Sequence, residues 1–393
     1  METRISGKPK ETQNEPVARS SRSVGRAQLQ FDKSPCRPGG KTHTLAFVSA
    51  TTKDPNGNIA FDPMRPPRIN EAIDLSVVIC TRHREKSLKE TIESVLAGDR
   101  AGLNIELIVI DNGGTDETKQ VVESFSDKIP LRYYREAKVG KGHSLNRALD
   151  EGGLGRIIAA LDDDMRAEGN WLKDIVAACA RNPTVDLFGG HVYTIWPPGP
   201  VPAWARQCRA YVLGWALSAT GFERAPEGYG DYPLRPDRWG CGNHFWFRAN
   251  VLTESTRFGD LWVPEPGLYF DHMEKGGKGM FCWSVQAGHR LQPHLLDRAE
   301  VQKRAVMIGV TFARNYLRPY RPTVKLAWHF KHRPIYTRAG VMAYTVYYAC
   351  LYGVARIFVS SDRWFERRIH ALEQFIHYRE LLRIAVTDEA YRR

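Results

Sequence analysis

The run Ile157-Ile-Ala-Ala-Leu-Asp-Asp-Asp-Met165 constrains this chain more than any other feature. The five residues before Asp162 are apolar, as in a strand of a parallel sheet covered on both faces, and they lead straight into three adjacent carboxylates with no basic residue among them. Such neighbours repel one another unless a cation sits on them. Open α/β sheets bind ligands just outside the carboxyl ends of their strands, and clustered carboxylate oxygens there suit a hard divalent ion such as Mg2+ or Mn2+. The expected partner of that ion is a diphosphate. A solvated turn or a helix N-cap would also give a short acidic run. Two features favour the ligand-binding reading: earlier strand-to-acid transitions, and the N-cap-like Glu168-Gly169-Asn170 ahead of an amphipathic helix opened by Trp171-Leu172.

The preceding sequence repeats a strand-then-helix pattern. Leu75 to Thr81 reads as an apolar strand, followed by the basic loop Arg82-His83-Arg84 and a helical pattern through Leu88, Ile92, Val95 and Leu96. Ile105 to Asp111 reads as a second strand, ending in the turn and helix cap Asn112-Gly-Gly-Thr-Asp116. Leu131 to Arg135 is a short third strand, Gly140 to Leu149 enters a helix, and Arg156 to Leu161 is the fourth strand. Alternation of this kind predicts right-handed βαβ units and a Rossmann-like, mostly parallel central sheet. No Gly-x-Gly-x-x-Gly follows the first strand and no Gly-x-x-x-x-Gly-Lys-Ser/Thr occurs, which disfavours a dinucleotide oxidoreductase or a P-loop ATPase. Nucleotide binding would then rest on side chains and a metal.

At 393 residues the chain can bury a large core. Residues 1–74 are rich in Ser, Arg, Lys, Pro and Gly and read as a disordered or loosely attached segment, 75–300 as the α/β domain, and 301–393 as a helical, basic and aromatic extension. The seven cysteines form no Cys-x-x-Cys pair, so neither a zinc site nor a disulfide framework is expected, and a reducing cytoplasmic compartment fits. No apolar stretch of signal-peptide length opens the chain. The net charge of +12 would raise nucleic acid as a partner, but its distribution points elsewhere. Residues 301–361 hold ten Lys or Arg and no Asp or Glu, interleaved with Tyr, Trp and Phe, which suits an anionic membrane surface; an RNA-binding face would look similar. Within this stretch, Ala339 to Ala355 is an uncharged run of 17 residues carrying Tyr344, Tyr347, Tyr348 and Tyr352. It is short for a bilayer span of about 20 residues, so a buried or in-plane interfacial helix is expected.

Four motifs in order carry a family resemblance: Val77-Val-Ile-Cys-Thr-Arg82, Val109-Ile-Asp-Asn-Gly-Gly-Thr-Asp116, Gly140-Lys-Gly-His-Ser-Leu-Asn146 and Leu161-Asp-Asp-Asp164. Together they resemble the family 2 glycosyltransferases of the GT-A fold, of the bacterial surface-polysaccharide type, over roughly Leu75 to Arg314. The resemblance implies transfer of a sugar from a nucleotide-diphosphate sugar, with inversion and with Mg2+ or Mn2+, to a saccharide or lipid-linked acceptor. Carried over to this chain, Thr81 and Arg82 line the nucleotide pocket, Asp111 accepts a hydrogen bond from the base, and Lys141 and Asn146 lie near the donor. Asp162 and Asp163 belong to the donor side, Asp162 facing the ribose or the metal's water shell, and Asp164 is the direct metal ligand. The family usually ends its second strand in two Asp; Asn112 here keeps an oxygen and loses the charge.

The resemblance extends to the second half. Trp239-Gly-Cys-Gly-Asn-His-Phe-Trp-Phe-Arg248 matches a strand that contacts the donor sugar, making Gly242 and Asn243 candidates. Gly267-Leu-Tyr-Phe-Asp-His-Met-Glu274 stands where relatives carry Glu-Asp, with Phe270 in place of the Glu, so Asp271 is the candidate base and Glu274 and Glu265 its competitors. His289 matches a His near the metal or diphosphate. The expected location is the inner face of the cell membrane, in peripheral contact with anionic lipid. Two other readings stand beside the transferase: a sugar nucleotidyltransferase, and a basic RNA- or membrane-binding protein without catalysis.

Overall fold

The computed structural model describes residues 67–387 apart from 101, 115, 207–213, 215, 222, 235–241, 262, 317–337 and 358–361. The N-terminal segment through residue 66, residues 239–241 at the start of the Trp239 to Arg248 motif, and the central part of the basic stretch lie outside the described residues.

Four parallel strands form the first half of the sheet: β1 (Leu75–Thr81), β2 (Ile105–Asn112), β3 (Leu131–Glu136) and β4 (Ile157–Asp162), in the spatial order β3-β2-β1-β4. The register pairs Thr81 with Asp111 and Cys80 with Asp162, so three strands end at one level. Every second residue faces the opposite side of a strand. In β4, Ile157, Ala159 and Leu161 enter one core while Ile158 and Ala160 enter the other. The first core is closed by α1 (Glu85–Leu96), α2 (Asp116–Glu123) and α4 (Trp171–Arg181) through Leu88, Ile92, Val122, Trp171 and Ile175. The second is closed by α3 (Lys141–Glu151) and α6 (Glu265–Glu274) through Leu145, Leu149, Leu268 and Tyr269. This is the two-sided cover that the apolar strands required.

Beyond β4 the sheet turns mixed. β8 (His244–Arg248) runs antiparallel to β4, β6 (Leu187–Ile195) antiparallel to β8, and β9 (Gly279–Arg290) parallel to β6. Two short strands, β5 (Met165–Ala167) and β7 (Tyr232–Pro233), pair with β9, and a single-turn α5 (Ala203–Arg206) lies between β6 and β7. β5 follows the acidic run directly, a strand that the sequence pattern did not suggest. Its pairing sets Met165 opposite His289.

The chain ends in three long helices, α7 (Arg298–Tyr316), α8 (Arg338–Ile357) and α9 (Asp362–Thr387), with α9 packed on both others. Trp204, Leu291, Ile308, Phe365, Ile369 and Ile376 tie α7 and α9 to the α/β body. Tyr344 and Tyr348 of α8 turn inward onto Tyr378 of α9, at ring separations of 5.3 and 5.7 Å. Tyr352 is also partly buried, so three of the four tyrosines expected at a membrane interface are helix-packing residues. Among the described residues no helix is long and apolar enough to cross a membrane.

Candidate functional site

A cavity of about 480 Å³ opens at the carboxyl ends of β1 and β4, lined by the Asp162-Asp163-Asp164 run and by Thr81, Arg82, Arg84, Asn112, Lys141, Gly242, Asn243, Glu265, His289 and Arg304. Its volume is that of a small-molecule site. Of the candidates whose side chains are described, all but Asp111, Asn146 and Asp271 line this cavity.

The carboxylates are not bare. Arg84 Nη1 lies 3.0 Å from Asp163 Oδ1 and 2.9 Å from Asp164 Oδ2, while Thr81 Oγ1 donates to Asp163 Oδ2 at 2.7 Å. Lys141 Nζ bridges Asp162 and the buried Glu265, 2.6 Å from Glu265 Oε1, and donates to the Gly242 carbonyl at 2.9 Å. The cation that three adjacent carboxylates demand is thus supplied twice by the protein itself. Burial, then the charge of Asp164, pushes the Asp163 carboxyl up to about 7 against the pull of Arg84. Burial would also raise Asp164, but His289, Arg84 and Arg304 hold it below the ordinary range. Burial would lower Lys141, and Asp162 and Glu265 overcome this and raise it. Glu265 is raised by burial, with Lys141 opposing.

Local geometry explains how each group arrives. Gly140 caps α3 with φ of 140°, a conformation that favours glycine, and its N–H donates to Asn112 Oδ1 at 2.7 Å. The Asn112 amide also donates to the carbonyls of Glu136 and Lys138, at 3.2 and 2.8 Å. A carboxylate could not donate those bonds. Asn112 therefore ties the β3–α3 loop and sets Lys141 at the helix entrance. The β5–β9 pairing brings His289 Nε2 to 3.4 Å from Asp164 Oδ2. Gly242 lies so close to α6 that a Cβ there would stand 2.6 Å from Glu265 Oε2.

Three candidates are placed elsewhere. The Asp111 side chain is fully buried, with Oδ2 accepting from the Tyr133 hydroxyl at 2.7 Å and Oδ1 without a hydrogen-bond partner. Asn146 clamps α3 to the Phe258 backbone, donating to its carbonyl at 3.0 Å and accepting from its N–H at 2.8 Å. Asp271 sits further along the helix that Glu265 opens and does not line the cavity; the side chain of Glu274 lies outside what is described.

Arg84 and Arg304 are the site residues that the motifs did not single out. Arg84 was visible as part of the basic loop after β1. Arg304, on α7, belongs to the stretch read as membrane-facing charge, yet it turns inward, donates to the Ala216 carbonyl at 2.9 Å and feels the charge of Asp164. Arg314 stays exposed and pairs with Glu380 of α9, at 2.9 Å.

Among the described residues no three His, Cys, Asp or Glu side chains are grouped so as to hold a metal. A divalent ion bound between protein and diphosphate needs fewer, since Mg2+ is usually held by one or two carboxylates together with substrate phosphates. Asp164, kept ionised by its surroundings, and His289 fit that partial donor set, and Asp162 lines the same cavity.

Comparison with known proteins agrees with this geometry. Residues 76–209 match the family described as Glycosyl transferase family 2. The glucosyl-dolichyl phosphate glucuronosyltransferase of Haloferax volcanii is 33% identical over 125 residues, 31% of this chain and 39% of the relative. The validoxylamine A glucosyltransferase of Streptomyces hygroscopicus subsp. limoneus is 28% identical over 131 residues, 33% of this chain and 28% of the relative. The matched region thus spans less than half the length of these relatives. Among solved structures, the mannosyltransferase PcManGT from Pyrobaculum calidifontis, in complex with GDP-Man and Mn2+, superposes with a TM-score of 0.51 at 16% identity, covering 84% of this chain and 90% of that one. That likeness is one of fold, and it is the GT-A architecture.

Proposed function

We propose that this chain, whose residues 76–209 match glycosyl transferase family 2, transfers a glycosyl group from a nucleotide-diphosphate sugar to a hydroxyl of a saccharide or lipid-linked acceptor. The observation that carries this reading is the convergence in one cavity of the Asp162 to Asp164 acids, the cations Arg84, Lys141 and Arg304, and the buried carboxylate Glu265. The diphosphate would lie at the N-terminus of α3, where backbone N–H groups and Lys141 favour an anion.

In the transfer step the acceptor oxygen attacks the anomeric carbon as the bond from that carbon to the phosphate oxygen breaks, which inverts the centre. The hydroxyl proton passes to a carboxylate. Of the two candidate bases whose side chains are described, Glu265 lines the cavity and Asp271 does not, and burial raises the basicity of Glu265. The electron pair leaves on the nucleoside diphosphate, where Arg84, Lys141 and Arg304 balance its growing charge. Asp164, Asp162 and His289 would hold a Mg2+ or Mn2+ ion, which, when bound, neutralises charge on the same leaving group. The excess of basic residues in 301–361 supports work at the inner face of an anionic membrane, on polysaccharide precursors of the cell surface.

A panel of nucleotide sugars, incubated with the chain and Mn2+, tests the reading. Release of nucleoside diphosphate from one donor supports a transferase, release of pyrophosphate from a nucleoside triphosphate with sugar phosphate would assign a nucleotidyltransferase, and neither product would refute both enzymes.

A further inference from the structure

Helix α8 is apolar on both sides. Its inner side, Val341, Tyr344, Tyr348, Tyr352 and Ala355, packs toward α9 and the helical core. The opposite side would be polar in a surface helix of a globular domain. Instead Met342, Val346, Tyr347, Val354 and Ile357 stand open, at 56, 58, 58, 47 and 75% exposure. Cys350 and Gly353 fill the gaps between them and are exposed as well. Positions 342, 346, 350, 353 and 357 follow one another at three- and four-residue steps, so the exposed groups form one continuous stripe along a helix about 30 Å long.

We propose that this stripe is a membrane-seating surface: α8 lies in the plane of an anionic bilayer, with the stripe in the acyl boundary and Arg356 among the headgroups. Charge complementarity selects this occupant. The chain carries +12, residues 301–361 hold no acidic residue, and Arg356 is exposed at the C-terminal end of the stripe. Anionic lipid attracts such a surface electrostatically, and an apolar helical face converts that attraction into shallow insertion. The helix lies flat because its inner tyrosines are committed to α9 and its hydropathy is below that of a span. Peripheral attachment alone could come from basic side chains anywhere in the chain. This inference, which rests on the proposed membrane location, assigns the attachment to one helix face.

The test is flotation of the full chain with vesicles of phosphatidylcholine alone and of phosphatidylcholine mixed equally with phosphatidylglycerol. Binding to the mixed vesicles is expected, with a loss of at least tenfold in Val346→Asp/Val354→Asp, whose circular dichroism and melting stay as in the parent because both positions are open to solvent. As a second measurement, an environment-sensitive dye on Cys350, in a Cys36→Ser/Cys208→Ser/Cys241→Ser background, should shift to the blue on mixed vesicles. Undiminished binding of the doubly substituted chain, with no dye shift, would overturn the role of α8 while leaving a peripheral location standing. No vesicle binding by the parent would overturn both. A parent dimer that the double substitution makes monomeric, without vesicle binding, would make the stripe a subunit interface and likewise overturn the proposal.

Discussion

Arg84 Nη1 lies 2.9 Å from Asp164 Oδ2, so the candidate metal ligand already carries a cation from the loop after β1. The same nitrogen reaches Asp163, and both carboxylates are nearly buried. Removing the guanidinium would leave two adjacent buried carboxylates sharing less compensation, and Asp163, already pushed up to about 7, would rise further. Arg84→Ala is therefore expected to weaken donor binding by about tenfold or more, measured by calorimetry with the nucleotide sugar. Unchanged affinity would take Arg84 out of the donor site.

Asp164→Asn keeps the shape of the side chain and removes its charge. The expected result is a fall in turnover of about 10²-fold or more, with the donor-independent far-UV spectrum preserved, since leaving-group stabilisation is the contribution lost. Titration with Mn2+ should give half-maximal activity at a higher concentration than in the parent. Equal activity at limiting Mn2+ would exclude Asp164 as a ligand.

Glu265→Gln and Asp271→Asn separate the two described candidates for the base. General-base help is worth about 10²–10⁴-fold, and a loss of that size is expected in Glu265→Gln, in kcat and not in donor affinity. Asp271→Asn should retain turnover within about threefold, as expected of a change outside the cavity. The reverse outcome would restore Asp271 as the base.

Gly242 tests the same carboxylate from the other side. A methyl group there would meet Glu265 Oε2 at 2.6 Å, Cδ at 2.8 Å and Val263 Cγ1 at 2.9 Å. Displacement of about 1 Å at a reacting group can cost about 10²-fold. Gly242→Ala is thus expected to lower kcat to that extent while melting within a few degrees of the parent. Full activity would show that Glu265 moves freely or takes no part.

Far from the cavity, Glu373 on α9 is 2% exposed, and burial pushes its carboxyl up from 4.5 to about 7. Below pH 4.5 the folded and unfolded chains both hold the proton; between 4.5 and about 7 the unfolded chain releases it while the folded chain keeps it. Stability is therefore lost as pH rises through this window, by at most about 3 kcal/mol. Glu373→Gln should unfold at higher urea than the parent at pH 8, and the difference should shrink toward pH 4.5. A difference independent of pH would show that the carboxyl does not titrate in this way.

The sequence by itself determined that the first half is a parallel sheet, because apolar runs covered on both faces and alternating with amphipathic helices leave few other arrangements, whereas the order β3-β2-β1-β4 came from the tertiary structure. It also determined where the cavity opens, since Thr81 and Asp162 each end a strand and parallel register brings those ends level. What it could not determine was which charges meet. Arg84 and Arg304 reach the acids from a loop and from a distant helix, and nothing in either local sequence distinguishes an inward arginine from a solvated one. The same holds for Glu265 and Asp271, both on α6, where the direction of each side chain depends on how the helix is rotated against β8 and Lys141. Helix α8 gives the clearest case. Its composition announced an apolar helix, but only packing against Tyr378 decided that Tyr344 and Tyr348 turn inward and that Val346 and Val354 are left outside. Periodicity fixes which residues share a face, whereas which face is buried depends on what the rest of the chain brings to it.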